Sequence, residues 1–180
     1  MKEDRIKWNR KHNGASGPGE PAAIIRDWFR LAPAGRALDI AAGTGGNALF
    51  LAEKGFEVHA VDISEVGLRQ VAGLHPRIHP ICADLDTFEI PEAFYSLIVC
   101  IRFLDRRIFP RIAAGLVTGG VLLFETFLST PETVENRPRC ADYLLKNEEM
   151  ESLVAPLHIE RLEKVMEPMP MVSMAARRLK

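Results

Sequence analysis

The chain has 180 residues, the size of one domain, and 47% of them are hydrophobic, enough to supply a full core. A formal net charge of −1 with scattered positive residues, and the lack of a signal-peptide pattern or a run of about 18 apolar residues, lead to the expectation of a soluble cytoplasmic protein with neither nucleic-acid nor membrane partners. Its three cysteines, Cys82, Cys100 and Cys140, are odd in number and widely spaced, which suits neither a disulfide framework nor a metal site.

Residues 1–20 are rich in Lys, Arg, Asn and Gly and read as an N-terminal arm able to close over an active site, or else as a frayed, solvated terminus; residues 21–180 read as a single domain. Pro21 suits a helix start, and Ile24, Ile25, Trp28, Phe29 and Leu31 give that helix one apolar face up to Leu31. Leu38, Ile40 and Ala41 form a short apolar run for a strand buried on both faces, interrupted by Asp39. Gly43-Thr44-Gly45-Gly46 follows as a turn, where residues without a Cβ admit positive φ and close main-chain approach. From Asn47 the pattern becomes helical, with Leu49, Phe50, Leu51 and Ala52 as inner stripe and Gly55 as the stop. Phe56 to Val61 alternates into a second strand that ends at Asp62, 19 positions after Gly43. Ser64 is a good N-cap for the next helix, with Glu65 in its first turn.

Farther on, Ile81 to Leu85 predicts a third strand ending in the acid Asp84, with His75 and His79 in a solvated loop before it. Tyr95 to Ile101 is a continuous apolar run suited to a central fourth strand. Arg102 is the first charge beyond it, at the carboxyl end where open α/β sheets bind ligands, and is a candidate to line a pocket. Arg106 and Arg107 read as a solvated face ahead of a helix started by Pro110. Gly119-Gly120 opens a fifth strand, Val121 to Phe124, closing at Glu125-Thr126; Arg139 and Tyr143, in the loop beyond, are candidates for the opposite wall. His158 to Val165 and Met171 to Leu179 read as a closing strand pair separated by Pro168 and Pro170.

The segment from Ala37 to Ser64 therefore carries the pattern of a nucleotide-type cofactor site. Its first helix points free N–H groups at the turn, and Asp62 can accept both hydroxyls of a ribose. Gly43-x-Gly45-x-x-Ala48 also fits the dinucleotide fingerprint, which leaves an NAD(P)-binding oxidoreductase open. Asp39 weighs against it, because a carboxylate facing the turn repels a pyrophosphate and attracts an ammonium group.

At these residues the chain resembles the class I S-adenosylmethionine (SAM)-dependent methyltransferases, whose first motif, E/D-x-G-x-G-x-G, stands here as Asp39-x-Ala41-x-Gly43-x-Gly45. Alanine at the first glycine suits a position that needs close backbone approach rather than a particular dihedral. The resemblance runs over residues 34–179. It implies a Rossmann-like, doubly wound α/β sheet of seven strands, mostly parallel with an antiparallel last strand. It implies SAM as cofactor, S-adenosylhomocysteine as product, and Asn47, Ile63, Ala83, Leu85 and Cys100 as cofactor residues beside Asp39, Ala41, Gly43, Gly45 and Asp62, with Asp84 turned to the adenine amino group. Tyr95-Ser96-Leu97-Ile98-Val99 is similar to the family's F-D-L-I-V, with Ser96 at the aspartate. Trp8-Asn9-Arg10-Lys11-His12 resembles the W-x-x-R-Y element of small methyltransferases of the tellurite-resistance and thiopurine type, with Lys11 and His12 replacing Arg and Tyr. That likeness implies that Trp8 and His12 face the substrate pocket.

Methyl transfer from a sulfonium is an in-line displacement that asks mainly for alignment and exclusion of water, so it needs no nucleophilic triad, and none is legible. Its catalytic residues are correspondingly not legible either. The expected acceptor is a small molecule, a soft sulfur, selenium or tellurium nucleophile or a small acid. A non-catalytic SAM-binding protein is the reading outside enzymology.

Overall fold

The computed structural model describes residues 2–15, 17–136 and 143–180. Helices α1 (Lys2–His12) and α2 (Ala23–Trp28) precede the sheet. The alternating part follows as β1 (Arg36–Ile40), α3 (Gly46–Glu53), β2 (Glu57–Asp62), α4 (Glu65–Val71), β3 (Ile78–Cys82) and β4 (Tyr95–Ile101). Then come α5 (Phe109–Gly115), β5 (Leu116–Phe127), α6 (Pro131–Asn136), α7 (Met150–Val154), β6 (His158–Val165) and β7 (Met171–Arg177). The seven strands lie in the order β3-β2-β1-β4-β5-β7-β6, and β7 runs antiparallel to both its neighbours while the pairs from β3 to β5 are parallel.

Both faces of the sheet are covered, and the sequence of β4 shows why it reads as one apolar run. Ile98 and Cys100 join a core on the side of α5 and α7, Leu97 and Val99 a core on the side of α2, α3 and α4, and all four are fully buried. Helix α3 ends as its sequence dictates: Gly55, at φ 98°, donates to Ala52 O at 3.0 Å and Phe56 N donates to Leu51 O at 3.1 Å, the paired bonds of a Schellman motif. The strand order reverses between β1 and β4, and a doubly wound sheet opens its ligand crevice at the carboxyl ends of the strands there.

Several expectations are corrected. Strand β3 begins at Ile78 and stops at Cys82, so His79 lies in an edge strand, its Nε2 3.2 Å from a Glu57 carboxylate oxygen, and Asp84 belongs to the following loop. Gly119-Gly120 does not open β5 but sits inside it, where the pairing with β4 shifts register between Tyr95 and Leu97. Arg106 is only partly solvated: its Nε and Nη2 donate to Glu149 at 2.8 and 2.6 Å, tying the start of α5 to that of α7. Between β3 and β4, residues 83–94 form no helix; Arg111 of α5 holds this loop instead, donating to Phe88 O at 2.7 Å and Leu85 O at 2.9 Å.

Ala41 also departs from its reading, because it sits at φ 56°, in the left-handed region. The position demands a dihedral as well as close approach, and alanine accepts it at a cost of about 1–2 kcal/mol. Ala41→Gly is therefore expected to raise stability by about 1 kcal/mol after glycine's larger loss of unfolded-state entropy, read as a higher urea midpoint at unchanged slope.

Candidate functional site

Three strand ends and the glycine turn meet in the crevice. Asp39, on β1, is 1% exposed, and neither of its carboxylate oxygens has a hydrogen-bond partner. Burial, with the nearby charge of Asp62 adding, pushes its carboxyl up to about 8; the Ala48 N–H and the Asn47 side chain approach it without closing a hydrogen bond and offset part of that rise. Asp62, at the end of β2, is also buried but satisfied: it accepts Gly43 N–H at 2.8 Å and Ser64 N–H at 2.7 Å. Gly43 and Gly45 take φ 59° and 79°, and a Cβ on Gly45 would run into Val71 of α4. A buried carboxylate without a partner, beside a turn kept open by glycine, is the environment that a ligand's cationic group would complete.

The N-terminal arm docks on this site. Ser64, the N-cap of α4, accepts Gly67 N–H at 3.1 Å and donates to Asn9 Oδ1 at 2.8 Å. Its one proton is thereby used, which assigns His12 Nδ1, 3.0 Å away, as the donor to Ser64 Oγ. Gln70 Nε2 donates to His12 O at 2.9 Å. His12 Nε2 then faces the glycine turn, 3.7 Å from where a Gly43 Cβ would stand. Trp8 stacks against His12 at 5.7 Å between centroids, with the Lys11 ammonium 4.4 Å over its ring. Downstream, Gly19 N–H donates to Thr44 Oγ1 at 3.2 Å and Ala22 N–H to Asn47 Oδ1 at 2.9 Å; only a glycine at position 46 leaves room for the Gly19 carbonyl.

The other expected residues distribute unevenly. Ile63 and Ala83 flank the crevice in the loops after β2 and β3, where Ala83 N–H donates to Asp62 O at 3.0 Å. Asp84 accepts Asp86 N–H at 3.0 Å, and Leu85 packs partly buried against the core of the α5 side. Cys100 is fully buried, its thiol on Phe103 O at 3.4 Å and pushed well up in pKa by burial, with Asp39 and Asp105 adding. Arg102 is exposed at φ 57°, its Nε 3.6 Å from Glu125. Tyr143 is 54% exposed, and Arg139 lies outside the described residues. Glu125 carries no functional reading in the sequence, yet it is another buried acid near a strand end, 7% exposed and bonded by Ser173 Oγ at 3.1 Å. Its place at the end of an apolar strand was the available signal. Asn9 was missed because its partners lie 55 and 57 residues away.

An open cavity of about 560 Å³ between Gly35, Arg36, Phe94 and Ser96 lies at the opposite end of the strands and contains none of these groups. Among the described residues, no set of three or more His, Cys, Asp or Glu side chains is placed to hold a metal ion, and no helix is long and apolar enough to cross a membrane.

With this geometry in place, comparison with known proteins is informative. Residues 37–120, which include Asp39, the glycine turn, Asp62 and Asp84, match the methyltransferase domain family. No protein of curated function matches the chain in sequence. The structure is similar to phosphoethanolamine N-methyltransferase 2 of Haemonchus contortus in complex with SAM, at 17% identity over 97% of this chain and 57% of that one, with a TM-score of 0.73. It is similar to a SAM-dependent methyltransferase from Mesorhizobium loti, at 17% identity over 87% and 98% of the two chains and a TM-score of 0.71. It is also similar to the cyclase SpnF, at 16% identity over 94% and 80%, with a TM-score of 0.73. The fold is thus that of the class I SAM-dependent methyltransferases.

Burial lowers the pKa of His12, with Asp62 opposing the shift and Lys11 reinforcing it. The docked arm therefore favours neutral His12: its stabilisation is complete above the ordinary value of 6.5 and is lost as pH falls below it, where the undocked histidine takes up a proton first. Trp8 fluorescence in a Trp28→Phe background is expected to report undocking below that pH, and His12→Gln to abolish the transition.

Proposed function

We propose that this chain is a SAM-dependent methyltransferase acting on a small molecule in the cytoplasm. The observation that carries this reading is Asp39, a buried carboxylate with no partner under a glycine turn, which fits the ammonium group of SAM and opposes a pyrophosphate. Asp62 would take the ribose hydroxyls, oriented by its two main-chain bonds, and the loop of Ala83, Asp84 and Leu85 would frame the base. Bound there, SAM supplies an electrophilic methyl group. Asn47 and Ile63 border the same crevice, and the arm carrying Trp8 and His12 would cover it and exclude water.

The acceptor proposed is a soft sulfur, selenium or tellurium nucleophile or a small acid, which needs little proton chemistry. The support for a tellurite-resistance-like branch is the Trp8 to His12 element, docked beside the turn, and Arg102 stands at the rim as a cation for an anionic acceptor. A SAM-binding protein without methyl transfer is the second reading, favoured by the cyclase that shares the fold, since fold alone does not set chemistry.

SAM and S-adenosylhomocysteine at about 100 times their Kd are expected to add about 2.7 kcal/mol to stability, and NADH and NADPH nothing. Stabilisation by the nicotinamides would overturn the reading. Because burial pushes the Asp39 carboxyl up to about 8, an ammonium ligand must displace its proton, so SAM affinity should rise with pH through the neutral range, by at most about tenfold per unit, with proton release in calorimetry. Asp39→Asn should weaken binding and flatten this dependence. A labelled-methyl screen of thiols, selenite, tellurite and small acids then separates an enzyme from a binding protein.

A further inference from the structure

The two edges of the sheet are finished differently. Strand β3 is five residues long and carries Pro80, which cannot donate to a further strand. Strand β6 is eight residues long, has no proline, and exposes every residue except the half-buried Ile159. Three of the eight large hydrophobic side chains exposed among the described residues, Leu162, Val165 and Met166, lie on this strand or next to it. A long, proline-free edge is a template for another strand, and native chains usually blunt it with charge.

Here the charges have an order. Glu160-Arg161-Leu162-Glu163-Lys164 is self-complementary when read against itself in reverse. Two antiparallel strands related by a two-fold axis place opposed residues on the same face, so the axis passes through a residue rather than between two. Through Leu162, it sets Arg161 against Glu163 of the second copy, twice, and Leu162 against itself. Through Glu160, Arg161, Glu163 or Lys164, it sets a charge against the same charge. We propose that β6 is a self-association edge, and that two copies of this chain pair antiparallel through it about a two-fold axis at Leu162.

The ladder is short. Pairing with β7 shifts register between Ile159 and Arg161, and Glu160 at that bulge is held by Arg177 Nη2 at 2.8 Å, so the regular stretch is Arg161 to Val165. Arg161 itself lies 5.8 Å over the Trp28 ring, which keeps it at the edge. Strands β5 and β7 separate β6 from the crevice at β1 and β4, so association leaves that site open and does not rest on the methyltransferase reading.

Light scattering over a dilution series tests the proposal. The expected result is a concentration-dependent dimer that dissociates as salt is raised, a readout that needs no variant. Arg161→Glu and Glu163→Arg, each opposing two like pairs, are expected to weaken association by about tenfold or more, and the double swap to restore it, with the circular dichroism of the folded chain unchanged. A monomer at every concentration, a dimer indifferent to salt and to both single reversals, or a failure of the double swap to restore association would overturn it.

Discussion

The carboxylate of Asp62 is the junction on which the rest of the site depends. By accepting Gly43 N–H and Ser64 N–H together, it ties the turn after β1 to the loop after β2. Charge-assisted bonds to main-chain donors are strong and leave no freedom of register, so the glycine turn and the first turn of α4 are set by one side chain. Ser64 passes that order outward, because the hydroxyl that caps α4 is also the group that Asn9 and His12 grip. The arm is thus not merely near the crevice but bonded to the residue that shapes it.

Asp39 and Asp62 show how environment divides two like groups. Both are buried acids on adjacent strands, yet Asp62 closes hydrogen bonds with two main-chain donors, whereas the Ala48 N–H and the Asn47 side chain approach Asp39 without closing one. The charge of the first, added to burial, raises the second toward neutrality, which is how a site keeps one carboxyl in reserve for a cation. The same end of the sheet stores backbone strain. Ala41 and Arg102, beyond β1 and β4, both sit at positive φ, and strain of this sort persists only where the surroundings impose it.

Much of this was legible because it is local. The bounds of β4, the stop at Gly55 and the acids at the ends of β1 and β2 follow from periodicity and glycine chemistry over a few residues. The edge strand β3 reads three residues too late in the sequence because His79 and Pro80 interrupt its apolar run. Arg106 reads as solvated in the sequence because Glu149, to which it donates, is 43 residues away, and the hold of His12 on Ser64 spans 52. Contacts at such separation leave no trace in spacing. The dihedral at Ala41 is hidden in the sequence for another reason: alanine is small enough for close approach, and its size conceals the positive φ.

The loop between β3 and β4 acts mechanically as a strap. Where the winding of the sheet would accommodate a helix, residues 83–94 cross as a strap fastened by the two bonds of Arg111. Lengthening such a strap changes its closure entropy only logarithmically, whereas adding a turn to a packed helix would displace a layer. The wall that carries Asp84 can therefore gain or lose residues while β1, β2 and the glycine turn stay in place. One side of the crevice is free to be resized for a different occupant, and the other, knotted through Asp62, is not.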